Sequence, residues 1–132
     1  MAGYGAKRID EMEGIGPAGV FKLARAELGL SAFGMAVIDL PPNADGYPEH
    51  SHSEDGPEEV YIALRGSGEV EVEGERHRLD PETLISVGPG VPRKVWTAEE
   101  PLRLLVIGGC PGRGYDAPQY TELGAGQPIP GV

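Results

Sequence analysis

Gly46-Tyr-Pro-Glu-His50-Ser-His52-Ser-Glu-Asp-Gly-Pro-Glu-Glu59-Val-Tyr-Ile-Ala-Leu-Arg-Gly66-Ser-Gly68 is the stretch on which the fold turns. A single residue separates its two histidines in an extended context, so a strand over 47–53 directs both imidazoles to one face. Glu59 opens the apolar run Val60 to Leu64. If that run pairs back antiparallel to the histidine strand, its carboxylate reaches the point where the imidazoles meet. Two histidines and one carboxylate suit iron(II) and related divalent ions with open coordination positions. On spacing alone, solvent-facing loop histidines in an acidic segment remain an equal alternative.

Outward from this stretch, 21 Gly and 13 Pro among 132 residues fall between short apolar runs. Low complexity is excluded by the 39% hydrophobic content and by runs such as Met35 to Leu40 and Leu102 to Ile107. The spacing predicts strands around 7–12, 20–25, 32–40, 47–53, 58–65, 68–73, 76–79, 83–87, 93–98 and 102–108, an all-β pattern. Residues 19–30 read equally as a helix or as a strand and turn. Glu69 to Leu79 alternates through Gly74 and predicts a hairpin. A Gly74-Glu75 loop sets Glu73 against Arg76 and Val72 against His77. A Glu73-Gly74 loop also keeps Glu opposite Arg and Val opposite His. His77 is then expected to be a half-buried packing residue. The length predicts one domain over 1–132, its barrel core at about 7–108 and an irregular tail over 109–132 that lies on the surface or frays.

A net charge of −10 argues against nucleic-acid partners, whose affinity rests on cationic contacts. No apolar stretch is long enough to cross a membrane, and Met1 to Glu13 has no apolar signal core. With the single Cys110, these features lead to the expectation of a cytoplasmic protein. Gly14-Ile-Gly16-Pro-Ala-Gly19 satisfies the dinucleotide fingerprint by letter, but an acidic stretch precedes it and Pro17 interrupts it. It is expected to be a Gly-rich connection.

The opening stretch resembles the first motif of the cupin superfamily, a glycine, His-x-His, a spacer, Glu, and Gly six positions further on, which here are Gly46, His50, His52, Glu59 and Gly66. Val87-Gly-Pro-Gly90-Val-Pro-Arg93 resembles the core of the second. The resemblance implies a double-stranded β-helix, a jelly-roll cupin barrel, with both motifs around a metal and substrate pocket at one end. Gly46 stands closer to His50 than in the pattern, and the spacer from His52 to Glu59 is longer. At the second motif's ligand histidine stands Arg93, which has no lone pair to give a metal. The resemblance therefore implies a divalent transition metal, Fe, Mn, Ni or Zn without distinction, on His50, His52 and Glu59.

Two readings of Arg93 follow. In one, Arg93 binds an anionic group of a small organic substrate beside the metal. In the other, it pairs with Glu59 in a metal-free, non-catalytic ligand-binding or structural barrel. Strand parity puts Tyr61 and Ala63 on the face of Glu59, so Tyr61 is a candidate substrate contact, with a core aromatic as the alternative. Parity puts Trp96 on the face opposite Arg93. Phe33, Met35, Val37 and Asp39 share a face, the apolar ones as packing. A small-molecule ligand and a homodimer are the expected partners, the dimer because jelly rolls leave edges and apolar outer faces to cover. Residues 7–12 and the tail are candidates for that cover.

Overall fold

The computed structural model describes residues 3–45 and 47–125. Gly46 of the first motif and the tail positions Gly126, Pro128, Pro130 and Gly131 lie outside the described residues. The strands are Gly14–Ile15 (β1), Phe21–Lys22 (β2), Gly34–Leu40 (β3), Glu58–Gly66 (β4), Gly68–Val72 (β5), Glu75–Leu79 (β6), Leu84–Val87 (β7), Arg93–Trp96 (β8) and Leu102–Gly109 (β9). They form an antiparallel six-stranded sheet, ordered β1-β2-β3-β9-β4-β7, and a three-stranded sheet, ordered β6-β5-β8. The two sheets enclose one core. Alternation along β9 sends Leu102, Leu104 and Val106 inward, where they join Ile38, Tyr61 and Ala63 against Val70, Leu79 and Val95 of the smaller sheet. This is the all-β architecture that the alternating runs predict, in the jelly-roll form that the motif resemblance implies.

The larger sheet is covered on its outer side from within the chain. In place of a strand over 7–12, Ile9–Glu11 makes a 3-10 turn closed by the Met12 amide on the Ile9 carbonyl, so the segment satisfies its own backbone. Met12 then packs with Ala24 and Val37, beside Ile9, Met35 and Leu105. Arg103 of β9 fastens the cover, with Nε on Asp39 Oδ1 at 2.8 Å and Nη2 on Asp10 Oδ1 at 2.6 Å. Residues 19–30 realise both alternatives in turn, the short β2 and then a helix over Ala24–Leu28 (α1) that ends at Gly29 with φ 69°. The fingerprint-like run is a connection, β1 followed by a 3-10 turn over Pro17–Gly19.

The β5–β6 hairpin adopts the second of its two registers. Glu71 faces Arg76 and Val70 faces His77, and the loop residues Glu73 and Gly74 have φ of 51° and 81°. Two left-handed residues make the loop whose twist matches a hairpin, and glycine fits its second position. His77 is exposed, contrary to expectation: along the edge strand β6 only Leu79 is buried, so the hairpin's tip runs past the core. On β8, Trp96 lies outside, opposite Arg93, with the Arg76 and Lys94 cations 4.4 and 4.5 Å from its ring centroid.

The expected strand over 47–53 does not form. His50 makes one isolated bridge to Arg93, its amide 3.0 Å from the Arg93 carbonyl. The chain then turns at Ser53–Gly56, where the Gly56 amide donates to Ser53 O at 2.8 Å. The histidine segment thus borders β8 rather than β4, whose two edges are already taken by β7 and β9. Among the described residues no helix is long and apolar enough to cross a membrane.

Candidate metal centre and cavity

The candidate centre lies between the two sheets, because each supplies its first inward residue there. Glu59 comes from β4, between Val87 of β7 and Gly108 of β9. A Cβ on Gly108 would stand 3.0 Å from Glu59 Cγ, so glycine there is what gives the carboxylate its space. Tyr61 follows on the same face and its hydroxyl donates to Glu59 Oε1 at 3.1 Å. Arg93 comes from β8. It is wholly buried, with Nη1 donating to Glu59 Oε1 at 3.0 Å and Nη2 to the Gly88 carbonyl at 2.7 Å. Gly88 belongs to the Pro-Gly turn of the second motif.

The histidines approach from the other side. Their rings meet edge to face at 5.5 Å. His50 Nδ1 is 3.2 Å from the Pro48 carbonyl; with the proton on Nδ1 it donates there, which leaves the Nε2 lone pair free. Backbone-oriented imidazoles of this kind are typical metal ligands. His52 Nε2 stands 3.2 Å from Glu59 Oε1, off the line of a hydrogen bond, so this buried nitrogen has no hydrogen-bond partner. One ligand atom from each of His50, His52 and Glu59 lies within 4.8 Å of the others. An orphaned imidazole nitrogen, a second with its lone pair free and an adjoining carboxylate fit a divalent cation.

Electrostatics keeps His50 and Glu59 in ligand form. Burial holds His50 below the ordinary imidazole range. Burial also pushes Glu59 up, but the His52 ring 3.2 Å away, the Arg93 guanidinium and the Tyr61 hydroxyl together outweigh it and hold the carboxyl below its ordinary value. Tyr61 is pushed well up by burial and keeps its proton.

His50, His52 and Glu59 border a cavity of about 830 Å³, a volume suited to an organic ligand. All five predicted site residues, His50, His52, Glu59, Arg93 and Tyr61, meet around Glu59; Arg93 and Tyr61 are wholly buried against its carboxylate, and only His50, His52 and Glu59 line the cavity. Its other walls were not foreseen. Phe21, Ile38 and Tyr47 line it, and so do Tyr115, Pro118 and Tyr120 of the tail. Through residue 125 the tail runs exposed or half-buried along the surface, and among Gly and Pro that read as disorder its aromatic residues supply an apolar wall. Those aromatics were the available signal. Tyr47 also packs on His50, ring centroids 5.6 Å apart.

The fold and motifs have counterparts among known proteins. A cupin protein from Bacteroides fragilis superposes with a TM-score of 0.66 at 23% identity, over 88% of this chain and 93% of that one. The Cupin_2 domain of an XRE family transcriptional regulator from Enterobacter cloacae gives 0.54 at 22% identity, over 61% and 83%. The DMSP lyase DddQ from Ruegeria pomeroyi gives 0.54 at 27% identity, over 70% of this chain and 45% of that enzyme. No curated protein matches. The Cupin domain family model matches residues 36–108, from β3 to β9 and across both motifs. That match spans more than half of the chain, and the protein belongs to the cupin family.

Proposed function

We propose that this cupin binds a divalent transition metal through His50, His52 and Glu59 and hosts metal-dependent chemistry on a small organic molecule at the barrel mouth. The observation that carries the reading is the buried, unpartnered Nε2 of His52 beside the free lone pair of His50 and the Glu59 carboxylate. A lone pair left without a donor in a buried site is costly, and a cation satisfies these acceptors together. The ion, when bound, supplies Lewis-acid polarisation of a ligand oxygen. Arg93 does not coordinate. It and Tyr61 fix Glu59 Oε1, which orients the carboxylate. A dication beside Arg93 leaves positive charge in excess of Glu59, which favours a ligand with an anionic oxygen at this end. Enzymes such as the DMSP lyase of similar fold support reading the mouth as an active site.

The Arg93–Glu59 ion pair at 3.0 Å favours a second reading, a metal-free ligand-binding barrel in which Arg93 alone balances Glu59. Thermal unfolding with added Mn²⁺ or Zn²⁺ separates the two. A ligand at 100 times its Kd stabilises the folded state by about 2.7 kcal/mol. The first reading predicts a saturable rise in Tm that is absent in the His50→Ala, His52→Ala double variant. An unchanged Tm in the wild type supports the second reading and removes the first.

A further inference from the structure

We propose that residues 110–121 form the specificity wall of the cavity, selecting a ligand with a flat, apolar body, and that Tyr115 is the residue that sets the fit. Tyr115 is seated in a gap made for it. Gly34 of β3 pairs with Gly108 of β9 at the mouth, and a Cβ on Gly34 would stand 2.6 Å from the Tyr115 hydroxyl oxygen and 2.9 Å from its ring. The two paired glycines thus make room for two side chains, Gly108 for Glu59 and Gly34 for Tyr115. Further along the segment Tyr120 packs edge-on against Phe21, centroids 6.4 Å apart.

The wall is fastened on both sides. Arg113 Nε donates to Asp55 O at 3.0 Å, in the loop that follows the histidines. Arg25 of α1 pairs with Glu122 at 2.9 Å, and the Gly124 amide donates to Glu13 at 2.9 Å.

Charge and shape define what such a chamber accepts. The cations that line the cavity have carboxylates beside them, Glu122 for Arg25 and Asp116 for Arg113, and Asp39 is matched by Arg103. Of the lining carboxylates, Asp45 and Asp116 are exposed, so a charged ligand body set among the rings would lose hydration for little balancing side-chain charge. The aromatic rings of Phe21, Tyr47, Tyr115 and Tyr120 instead offer faces and edges to a planar apolar group. Only the placement of the ligand's polar end at His50 and His52 rests on the metal reading above.

Calorimetric titration with 2-naphthoate and acetate, in the presence of Mn²⁺, tests this. The wild type is expected to bind 2-naphthoate at least about tenfold more tightly than acetate. Tyr115→Ala and Gly34→Ala should each lose about tenfold for 2-naphthoate and leave acetate unchanged, while Tyr115→Phe, which keeps the ring, binds like the wild type. Circular dichroism confirms that each variant is folded. Equal affinity for the two carboxylates, or unaltered 2-naphthoate binding in folded Tyr115→Ala and Gly34→Ala, overturns the proposal. Repeating the titration with 2-naphthalenemethanol and methanol on chelator-treated protein separates it from the metal reading. A retained preference for the naphthyl compound upholds the wall even where no metal binds, and a lost preference with metal bound overturns the wall alone.

Discussion

At the scale of single residues, Arg93 determines the character of the site. Its identity was legible, because it occupies the position of a ligand histidine in a motif whose other members match. Its partners were legible only as alternatives: strand parity gives the face on which a side chain lies but not which neighbour across the barrel it meets. The structure brings it to Glu59 and to the Gly88 carbonyl. Replacing the guanidinium with an imidazole restores a lone pair beside His50 and His52, so Arg93→His is expected to raise divalent-metal affinity by about tenfold or more. Calorimetry with Zn²⁺ measures this, and an unchanged or weaker affinity contradicts it. Glu59 makes a separate prediction through pH. Its carboxyl titrates below the ordinary 4.5, so the folded state holds fewer protons than the unfolded one near that value. Its contribution is full above the ordinary value and is lost as pH falls through the lowered one. Urea unfolding of Glu59→Gln should show a shallower loss of stability below about pH 4.5 than the wild type; parallel acid limbs would refute the assignment.

At the scale of elements, runs with a strict period of two were legible nearly to their ends. β3, β4, β5 and β9 fall where alternation predicts them, because each has one face on the core, and a one-residue slip would expose its apolar set. The histidine segment lacks that constraint. With Pro48 before it and a tight turn at 53–56 after it, it keeps one bridge to β8 and still directs both rings inward. The hairpin loop shows how little the pattern alone decides: two registers gave the same cross-strand chemistry, and turn geometry selected between them. Glu73 sits in the left-handed region at φ 51°, a conformation that costs a side chain about 1 kcal/mol and that asparagine tolerates better. Glu73→Asn, which creates an Asn-Gly turn, is expected to stabilise the protein by about 0.5 kcal/mol. A lower denaturation midpoint in urea would show that the turn is read wrongly.

At the scale of the molecule, the surrounding segments do more than the sequence pattern announced. The N-terminal turn covers the outside of the larger sheet, and the tail from Cys110 to Thr121 lines one side of the cavity. Neither has a hydrophobic period, since each packs isolated side chains, the buried Met12 and the half-buried Tyr115, against a surface made by other elements. The barrel therefore presents one chamber with a polar floor of imidazole and carboxylate and walls of aromatic rings. That floor is the proposed metal centre, and elemental analysis of the protein purified without chelator reads its occupancy. About one divalent transition-metal ion per chain is expected in the wild type and none in the folded His50→Ala, His52→Ala double variant; a folded wild type without metal, or a double variant that retains it, would contradict the assignment of His50, His52 and Glu59 as the centre.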